Sequence, residues 1–586
     1  MKKILMILAA ASTIALASCE DWLDKYPLSS GSPETFFKTA TDLEAYSNQF
    51  YLDVLPGTSI YEECADNIVK DNLLNEMTDG RIVPNSGGGW SWGALRDINT
   101  MIEYSVNCED EAARTEYVAL ARFFRAYFYF EKVKRFGDVP WYDKPIAASD
   151  TEQLNKPRDS RELVMTNIIA DLDDAIANLP TKKEVYKVTK WTALALKSRV
   201  CLFEGTFRKY HGLSDYEKYL NGAVSAAEEF MSKSGYKLYS TGNPDVDYRD
   251  LFASVEAIGD EIILARDYTN EYGSYHNATL YGLNTSYGKP GMSRKIVDTY
   301  LMADGSRFTD KPGYETMEFA EQVSGRDPRL AQTMRTPGFK RIDSDVTEPL
   351  RLNFSVTGYH ITKYVHSINA GADTYGRSYN DLPIFRTAEV YLNFAEAKAE
   401  LGTLTQADID KSIKLIRDRV GMPNLDVAAA NANPDPYLDN DKTGYVNVKG
   451  DMKGVILEIR RERTIELMDE NFRYYDIIRW KEGQCFLQDL VGIYITGSGP
   501  QDFDKDGKVD AYLKAADEAQ APAEYDKIDQ FTIGKEIRLS EGDHGFITPY
   551  SDNYQHWNEA RDYFYPIPTD DIQLTNGALV QNPGWE

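Results

Sequence analysis

Apolar residues recur at helical spacing through most of the chain before residue 235. From Tyr117 the spacing predicts a helix that ends near Gly137, with apolar positions on two sides. Further helices are predicted at residues 161–179, at 191–203 and at 216–231. Helix pairs joined by short turns, with Ala at the contacts, are typical of tetratricopeptide-type packing, although no clean 34-residue repeat is present.

The pattern changes twice along the rest of the chain. Residues 236–380 and 490–560 are rich in turn-forming residues and carry only short apolar runs, which predicts loop-rich inserts with short strands. Helical spacing returns between them, with one long helix expected over 453–480. The fold class predicted is therefore mainly α: a tetratricopeptide-like helical scaffold, about 35–235 and 386–480, with two long inserts.

The N-terminus has the pattern of a secretory signal. Lys2 and Lys3 precede an uncharged run from Ile4 to Ala17 that is too short to span a bilayer. Its end resembles a bacterial lipobox, so residues 1–18 are interpreted as a signal peptide and Cys19 as a lipid anchor. The alternative is an ordinary signal peptide with an incidental Cys. The remaining 19–586 are expected to form a single domain.

Composition narrows the class of partner. The chain has 92 acidic and 65 basic side chains, a formal charge of −27, and losing Lys2 and Lys3 with the signal makes it −29. Such a charge opposes contact with phosphate backbones, so nucleic acid is excluded as a partner. No later stretch is long and apolar enough to cross a bilayer, so the membrane is expected to hold only the lipid. The 39 Tyr exceed the 24 Phe, which favours half-buried, hydrogen-bonding aromatic surfaces.

The remaining cysteines do not form a metal motif. They are far apart and make no C-x-x-C pair, which argues against zinc, and the sequence leaves open which of them form disulfides. They are Cys64, Cys108, Cys201 and Cys485.

The sequence contains partial matches to catalytic motifs, but the residues around them do not fit those motifs. Residues 89–93 fit G-x-S-x-G, but a glycine-rich turn precedes them where a nucleophile elbow needs a buried strand. Residues 282–289 lack the spacing and the Ser or Thr of a phosphate loop, and no H-E-x-x-H is present. The protein is therefore not expected to be an enzyme, although counting carboxylates does not exclude a glycan hydrolase.

One acidic loop resembles the front of a calcium site. Oxygen ligands at loop positions one, three, five and nine, with Gly507 at six, fit an EF-hand-type turn. Position twelve is Leu513, so Glu518 or a more distant acid is needed in its place. The candidate metal residues are Asp502, Asp504, Asp506, Lys508 and Asp510. The alternative is a solvated acidic turn; a bound Ca²⁺ is expected to be structural, and no cofactor is required.

Several segments together resemble the SusD/RagB family of outer-membrane nutrient-binding lipoproteins. They lie in the family's order along the whole mature chain, at residues 21–27, 36–37, 294–305, 326–330, 386–397, 459–480, 565–568 and 581–585. The resemblance implies a non-enzymatic lipoprotein that captures an oligosaccharide and delivers it to a SusC-like TonB-dependent transporter. Glu20 and Asp21 resemble the surface-export signal of Bacteroidetes lipoproteins, which implies an outer-membrane anchor with the protein facing the cell exterior. Peptide uptake, known in some relatives, is the alternative, and a surface glycan hydrolase is the less favoured one.

The charged motifs of the family are interpreted as scaffold. Glu458 with Arg461, and Arg463 with Glu466, are three residues apart on a predicted helix and can form ion pairs along it. A loop around Pro328 is likewise expected to be held by charge-assisted hydrogen bonds. Function is therefore expected in the loops.

Carbohydrate recognition needs flat aromatic faces beside polar groups that satisfy sugar hydroxyls. Trp90, preceded by three glycines, is the expected platform, whereas Trp92 begins a helix and could equally belong to the core. In the family, glycan contacts come from this region and from the first insert. The candidate ligand-binding residues are Trp90, Trp92, Arg81, Arg96, Tyr272, Tyr275, Tyr281 and Tyr287.

Overall fold

The computed structural model describes residues 33–550 and 554–586, and its framework is helical. Up to residue 233 the helices are α1 (Ala40–Asp53), α2 (Gly93–Tyr104), α3 (Glu111–Phe136), α4 (Thr151–Leu154), α5 (Arg161–Asn178), α6 (Lys190–His211) and α7 (Tyr216–Lys233). The first insert contains α8 (Asp247–Ala253), α9 (Ala278–Leu283), α10 (Arg294–Thr299), α11 (Phe319–Gln322) and α12 (Pro328–Thr333). The remaining helices are α13 (Thr387–Glu400), α14 (Gln406–Asp410), α15 (Ile413–Arg419), α16 (Val427–Ala432), α17 (Lys453–Glu466), α18 (Arg473–Trp480) and α19 (Thr569–Leu574).

Local sequence signals account for the ends of the long helices. The Asp110 side chain accepts a hydrogen bond from the Ala113 amide at the start of α3, as an N-cap should. Gly137, at φ +75°, ends the same helix, and Gly212 ends α6 in the left-handed region. These bounds confirm the four helices predicted before residue 235.

The scaffold core forms where α6 contacts α7, α13 and α18, and where α3 contacts α1, α2 and α5. Gly205 of α6 allows close packing, because a Cβ there would lie 2.7 Å from the side chain of Leu220 on α7. The mainly helical, tetratricopeptide-like fold class is thereby confirmed. Among the described residues, no helix is both long and apolar enough to span a membrane.

Short strands join the first insert to the scaffold and connect segments within the second insert. They are β1 (Ile68–Val69), β2 (Ile262–Arg266), β3 (Gly291–Met292), β4 (Leu382–Arg386), β5 (Tyr494–Ile495), β6 (Gly499–Gln501), β7 (Ala511–Lys514), β8 (Asp529–Thr532) and β9 (Gly545–Phe546). Antiparallel pairs form between β1 and β3, β2 and β4, and β5 and β9. In the second insert β7 pairs antiparallel with β6 and parallel with β8. Since β4 runs directly into α13, the β2–β4 pair joins the first insert to the scaffold.

The prediction of one long helix over 453–480 was wrong. The segment forms α17 and α18, separated by a turn in which Asp469 and Asn471 take positive φ of 59° and 63°. Within this turn Glu470 is buried and forms ion pairs with Lys363 and Arg386, both at 2.7 Å. Contacts with distant parts of the chain therefore favour the break over continued helix. The periodic stretch after Gly402 is likewise divided, into α14 and α15.

The charged family motifs are structural, as expected. Arg461 forms the predicted ion pair with Glu458 at 2.6 Å. The predicted pair of Arg463 with Glu466 was wrong: Arg463 pairs with Asp476 at 2.7 Å, and Glu466 accepts from three arginines of other segments. These three are Arg329, Arg386 and Arg419. Tertiary packing aims the two side chains away from each other.

The four described cysteines are buried and form no disulfide among themselves. The signal peptide and Cys19 lie outside the described residues, so the lipid anchor stays a prediction.

Candidate functional site

Five tyrosines from three separate parts of the chain form two groups of rings that both contact the segment following β1. We call this group the tyrosine surface; it consists of Tyr281, Tyr287, Tyr375, Tyr550 and Tyr554. The ring of Tyr287 lies 5.8 Å from that of Tyr281 and 6.4 Å from that of Tyr375, the latter nearly parallel. Tyr550 and Tyr554 stack at 4.9 Å with only 10° between their planes.

Lys70 connects the two groups of rings. Its carbonyl oxygen accepts a hydrogen bond from the Tyr550 hydroxyl, and its ammonium lies 5.3 Å from the centre of the Tyr281 ring. The ammonium donates to the Glu62 carbonyl at 2.8 Å, which fixes its position. A single backbone segment therefore holds tyrosines from both inserts in one place.

The β1–β3 pair sets the position of this segment. Beyond the pair, the Asp71 amide donates to the Gly288 carbonyl at 2.8 Å. Gly288 takes a φ of +77°, and a Cβ there would lie 3.3 Å from an Asp71 carboxylate oxygen. The close approach brings the loop that carries Tyr287 beside Asp71 and Asn72, whose side chains are exposed.

Exposed aromatic rings and polar side chains lie side by side on the tyrosine surface. Tyr375 is 69% exposed and Tyr554 37% exposed, while Tyr281 and Tyr287 are half-buried. Half-buried rings offer flat apolar faces at low entropic cost, and carboxylate and amide groups such as those of Asp71 and Asn72 satisfy hydroxyls. The arrangement can bind an extended ligand whose surface alternates C–H patches and hydroxyl groups.

The four candidate tyrosines of the first insert are thus divided. Tyr281 and Tyr287 belong to the tyrosine surface. Tyr275 lies elsewhere, donating its hydroxyl to the Asn270 side chain at 2.6 Å, and lines a separate cleft. Tyr272 is 81% exposed and lines neither that cleft nor the tyrosine surface.

Trp90 does not form the open platform expected from its glycine-rich flank. It is only 5% exposed, and its ring contacts Phe136 at 4.8 Å and Trp92 at 5.3 Å. The glycines at 87–89 all take positive φ. The carbonyls of Gly88 and Gly89 accept hydrogen bonds from the end of α3, and that of Gly87 accepts one from the Trp90 amide. This turn therefore folds Trp90 onto the scaffold instead of presenting it to solvent.

A cleft of about 770 Å³ lies beside Trp90 and Trp92. Exposed Arg96 also lines it, so the structure brings these three candidates together, apart from the tyrosine surface. The rest of its lining comes from residues 140–156 and 571–579 and mixes apolar with polar side chains. Trp92 itself is half-buried against the core, which agrees with the alternative considered for it.

Arg81 does not face a ligand. Its guanidinium forms a buried ion pair with Asp562 at 3.0 Å. It also lies over the rings of Tyr565 and Trp585, at 5.0 and 5.3 Å from their centres. Segments near the C-terminus cover it, which the sequence around residue 81 does not indicate.

The acidic loop folds as a tight turn between β6 and β7. Carboxylates of Asp502, Asp504 and Asp510 lie within 4.8 Å of one another. Burial, with acidic neighbours adding to it, raises the pKa of Asp510 to about 6.

Two expected members of the calcium site lie outside this cluster. The Asp506 carboxylate pairs with Lys508 at 2.5 Å. Glu518, the proposed substitute for position twelve, instead accepts hydrogen bonds from the Tyr512 hydroxyl and the Ala515 amide. Calcium binding stays a prediction, with three side chains gathered for it.

Sequence reasoning missed Tyr375, Tyr550 and Tyr554. Tyr375 precedes a glycine in an irregular stretch, and the other two lie in the turn-rich end of the second insert. A search for tyrosines in every loop-rich segment would have found them, but not their proximity.

Comparison with known proteins defines the class. The model of the SusD family matches residues 260–585, and a second model, described as starch-binding associating with outer membrane, matches residues 91–202. The first match covers more than half of the chain. The protein therefore belongs to the SusD family.

Individual relatives agree with this assignment. The SusD-like protein P38 of Formosa agariphila is 24% identical over 510 residues, covering 82% of this chain and 91% of the relative. Two solved structures from Bacteroides fragilis share the fold. A SusD-like protein has a TM-score of 0.68 at 23% identity, covering 96% of this chain and all of its own. A SusD-like carbohydrate-binding protein has a TM-score of 0.66 at 19% identity, covering 92% and 99%.

Proposed function

We propose that the protein binds an oligosaccharide at the tyrosine surface and delivers it to a SusC-like TonB-dependent transporter of the outer membrane. The observation that carries the binding role is the meeting of five tyrosines from both inserts around Lys70. Membership of the SusD family, with one relative described as carbohydrate-binding, supports the ligand class. The lipidated Cys19 would hold the protein on the outer membrane, facing outward.

Stacking supplies the attraction in this mechanism. Tyr287 and Tyr375 would bind the C–H faces of successive sugar rings. Asp71 would accept hydrogen bonds from the sugar hydroxyls, and Asn72 would both accept and donate them. Each hydroxyl exchanges bonds with water for bonds with protein, so its net contribution is small, on the order of 1 kcal/mol. An open surface also leaves much of the ligand in water, so modest affinity is expected.

The protein is proposed to act without catalysis. Carboxylates do approach one another, but several of the buried ones among the described residues, such as Asp66 and Glu466, are held by arginines and lysines as structural pairs. The protein would therefore pass the captured glycan to the transporter without changing it chemically.

Affinity electrophoresis against a panel of neutral polysaccharides tests the binding role. We expect Tyr287→Ala and Tyr375→Ala each to weaken the retarding interaction roughly 3- to 10-fold, the value of one aromatic contact. Tyr272→Ala is the matched control, because it removes an exposed tyrosine of the same insert that lies outside the tyrosine surface. Undiminished retardation in both surface variants would contradict the proposal.

Two further readouts separate the alternatives. Binding of peptides in the absence of any glycan binding would favour a peptide-uptake role. Release of shorter sugars from the retarding polysaccharide would indicate a hydrolase. A neighbouring gene for a large TonB-dependent transporter, and co-purification of that transporter, are expected if delivery is the function.

A further inference from the structure

A second tyrosine-lined cleft lies between α1, the start of α3 and the end of β2. Its volume is about 690 Å³, within the range of roughly 300–1,000 Å³ that small-ligand sites occupy. We call it the α1–β2 cleft. Four of its lining rings are those of Tyr51, Tyr117, Tyr186 and Tyr275. None of the five rings of the tyrosine surface lines it.

Three of these rings are held in place by their hydroxyl groups. The Tyr51 hydroxyl accepts from the Val188 amide at 2.9 Å. Tyr186 donates to a carboxylate oxygen of Asp381 at 2.6 Å, and Tyr275 donates to Asn270 as described above. Because the polar end of each ring is already bonded to protein, the ring is fixed before a ligand arrives, and less entropy is lost on stacking.

Several polar groups of the cleft are, by contrast, uncommitted. Within residues 33–550 and 554–586, the side chains of Asn48, Glu116 and Asp267 make no hydrogen bond or ion pair with protein. Arg266 forms no ion pair there, and its closest hydrogen bonds are weak ones of 3.4 and 3.5 Å to two backbone carbonyls. Donors and acceptors are therefore both free to bind a ligand.

The charges of the cleft restrict the ligand. Glu44, Glu116 and Asp267 line it against the two cations Lys187 and Arg266, and Lys187 already pairs with Glu44 at 3.0 Å. This excess of carboxylates disfavours phosphates, sulfates and uronic acids. A neutral ligand with flat C–H faces and many hydroxyls matches the fixed rings and the free polar groups.

We propose that the α1–β2 cleft is a second oligosaccharide site, distinct from the tyrosine surface. The choice of ligand class rests on the proposed function. Thr58 lines the cleft, and Tyr61, three residues later, contacts Tyr281 of the tyrosine surface with 5.6 Å between ring centres. Both sites therefore flank one short segment, and a long polysaccharide that reaches both gains avidity without any new contact.

Isothermal titration calorimetry with short oligosaccharides tests the second site. The probes are maltoheptaose and a heptasaccharide of each neutral polysaccharide that retards the protein in electrophoresis. We expect two ligands per chain for the unmodified protein. Tyr117→Ala, and independently Asn48→Trp, which fills the cleft from an exposed position, should each reduce this number to one. The double variant Tyr287→Ala, Tyr375→Ala should also leave one, in the cleft.

Thermal melting of each variant ensures that a loss of binding is not a loss of fold. A single ligand per chain that disappears in the double variant, and is unchanged in both cleft variants, would overturn the second site while leaving the proposed function intact. Failure of every probe and polysaccharide to bind would overturn both. Full-length polysaccharide should bind at least 10-fold more tightly than the heptasaccharide to the unmodified protein, and this gain should vanish in Asn48→Trp.

Discussion

At the scale of single residues, buried ion pairs explain the charges that the sequence concentrates in its family motifs. Asp66, just before β1, is fully buried and forms ion pairs with Arg473 at 2.6 Å and Lys295 at 2.8 Å. Burial alone would raise the pKa of Asp66, but the two cations outweigh it and lower the pKa to about 2. The ionised carboxylate thus anchors the strand that leads to the tyrosine surface.

Asp66→Asn should destabilise the protein at pH 7 by about 3 kcal/mol, because it leaves buried cations without their partner. The folded pKa lies below the usual value near 3.8, so the pair's contribution is complete above about pH 4 and is lost as pH falls to about 2. The difference in the free energy of unfolding between Asp66→Asn and the unmodified protein should therefore shrink by about 2 kcal/mol over that pH interval. Urea unfolding at several pH values measures this difference.

Asp260→Asn is the control for this experiment. Asp260 forms an exposed pair with Lys237, so the change should cost less than about 0.5 kcal/mol at every pH. A difference in the free energy of unfolding between Asp66→Asn and the unmodified protein that stays constant down to pH 2 would contradict the ionised state assigned to Asp66.

At the scale of elements, the acidic loop shows how a turn gathers side chains that are separated in sequence. The turn between β6 and β7 brings Asp502, Asp504 and Asp510 together, although the first two and the last are separated by the Lys505–Lys508 bend. Burial, together with the neighbouring carboxylates, makes the ionised form of Asp510 less favourable in the folded protein and raises its pKa to about 6. A divalent ion bound there would stabilise the ionised carboxylates.

Addition of 1 mM Ca²⁺ at pH 7.5 to protein treated with a chelator should raise the melting temperature by roughly 1–4 °C. The increase should shrink below pH 6, as Asp510 binds a proton and competes with the ion. Differential scanning calorimetry measures both effects. Asp504→Asn should abolish the increase, whereas Asp517→Asn, in the following turn, should retain it; an equal response in both variants would show that the loop holds no specific ion.

The division of residues 453–480 shows why periodicity alone misplaces elements. Every residue of α17 is consistent with helix in sequence, and so is α18. Yet the turn between them is decided by partners more than 80 residues away, among them Arg386 and Lys363. A local pattern holds no information about such contacts.

At the scale of the whole molecule, the net charge of −27 acts on every ligand that approaches. Neutral polysaccharides meet no barrier, whereas anionic ones are repelled over about one Debye length, roughly 8–10 Å at physiological salt. We expect retardation by a neutral glycan to be unchanged between 50 and 500 mM NaCl. Its sulfated derivative should bind more weakly, and should recover part of its affinity as salt rises. Tighter binding of the sulfated form at low salt would contradict this view.

The sequence alone was sufficient for the helical scaffold and the family. Periodicity and capping residues are local, so α3, α5, α6 and α7 could be predicted, and the ends of α5 and α7 within two residues. In contrast, α3 begins at Glu111, before the predicted start at Tyr117, and α6 continues to His211, beyond the predicted end at 203. The interpretation of the charged motifs as scaffold agrees with the structure, in which Glu458 and Arg461 pair along α17, although the partners of Arg463 and Glu466 lie in other segments.

Only the tertiary structure decided which aromatic side chains are exposed and lie together. The sequence could not show that the turn at 87–89 buries Trp90, or that C-terminal segments cover Arg81. Nor could it bring Tyr281 and Tyr550 beside Lys70, because a surface made from two inserts depends on contacts between segments hundreds of residues apart. Exposure and proximity are properties of the packed chain, and no local pattern encodes them.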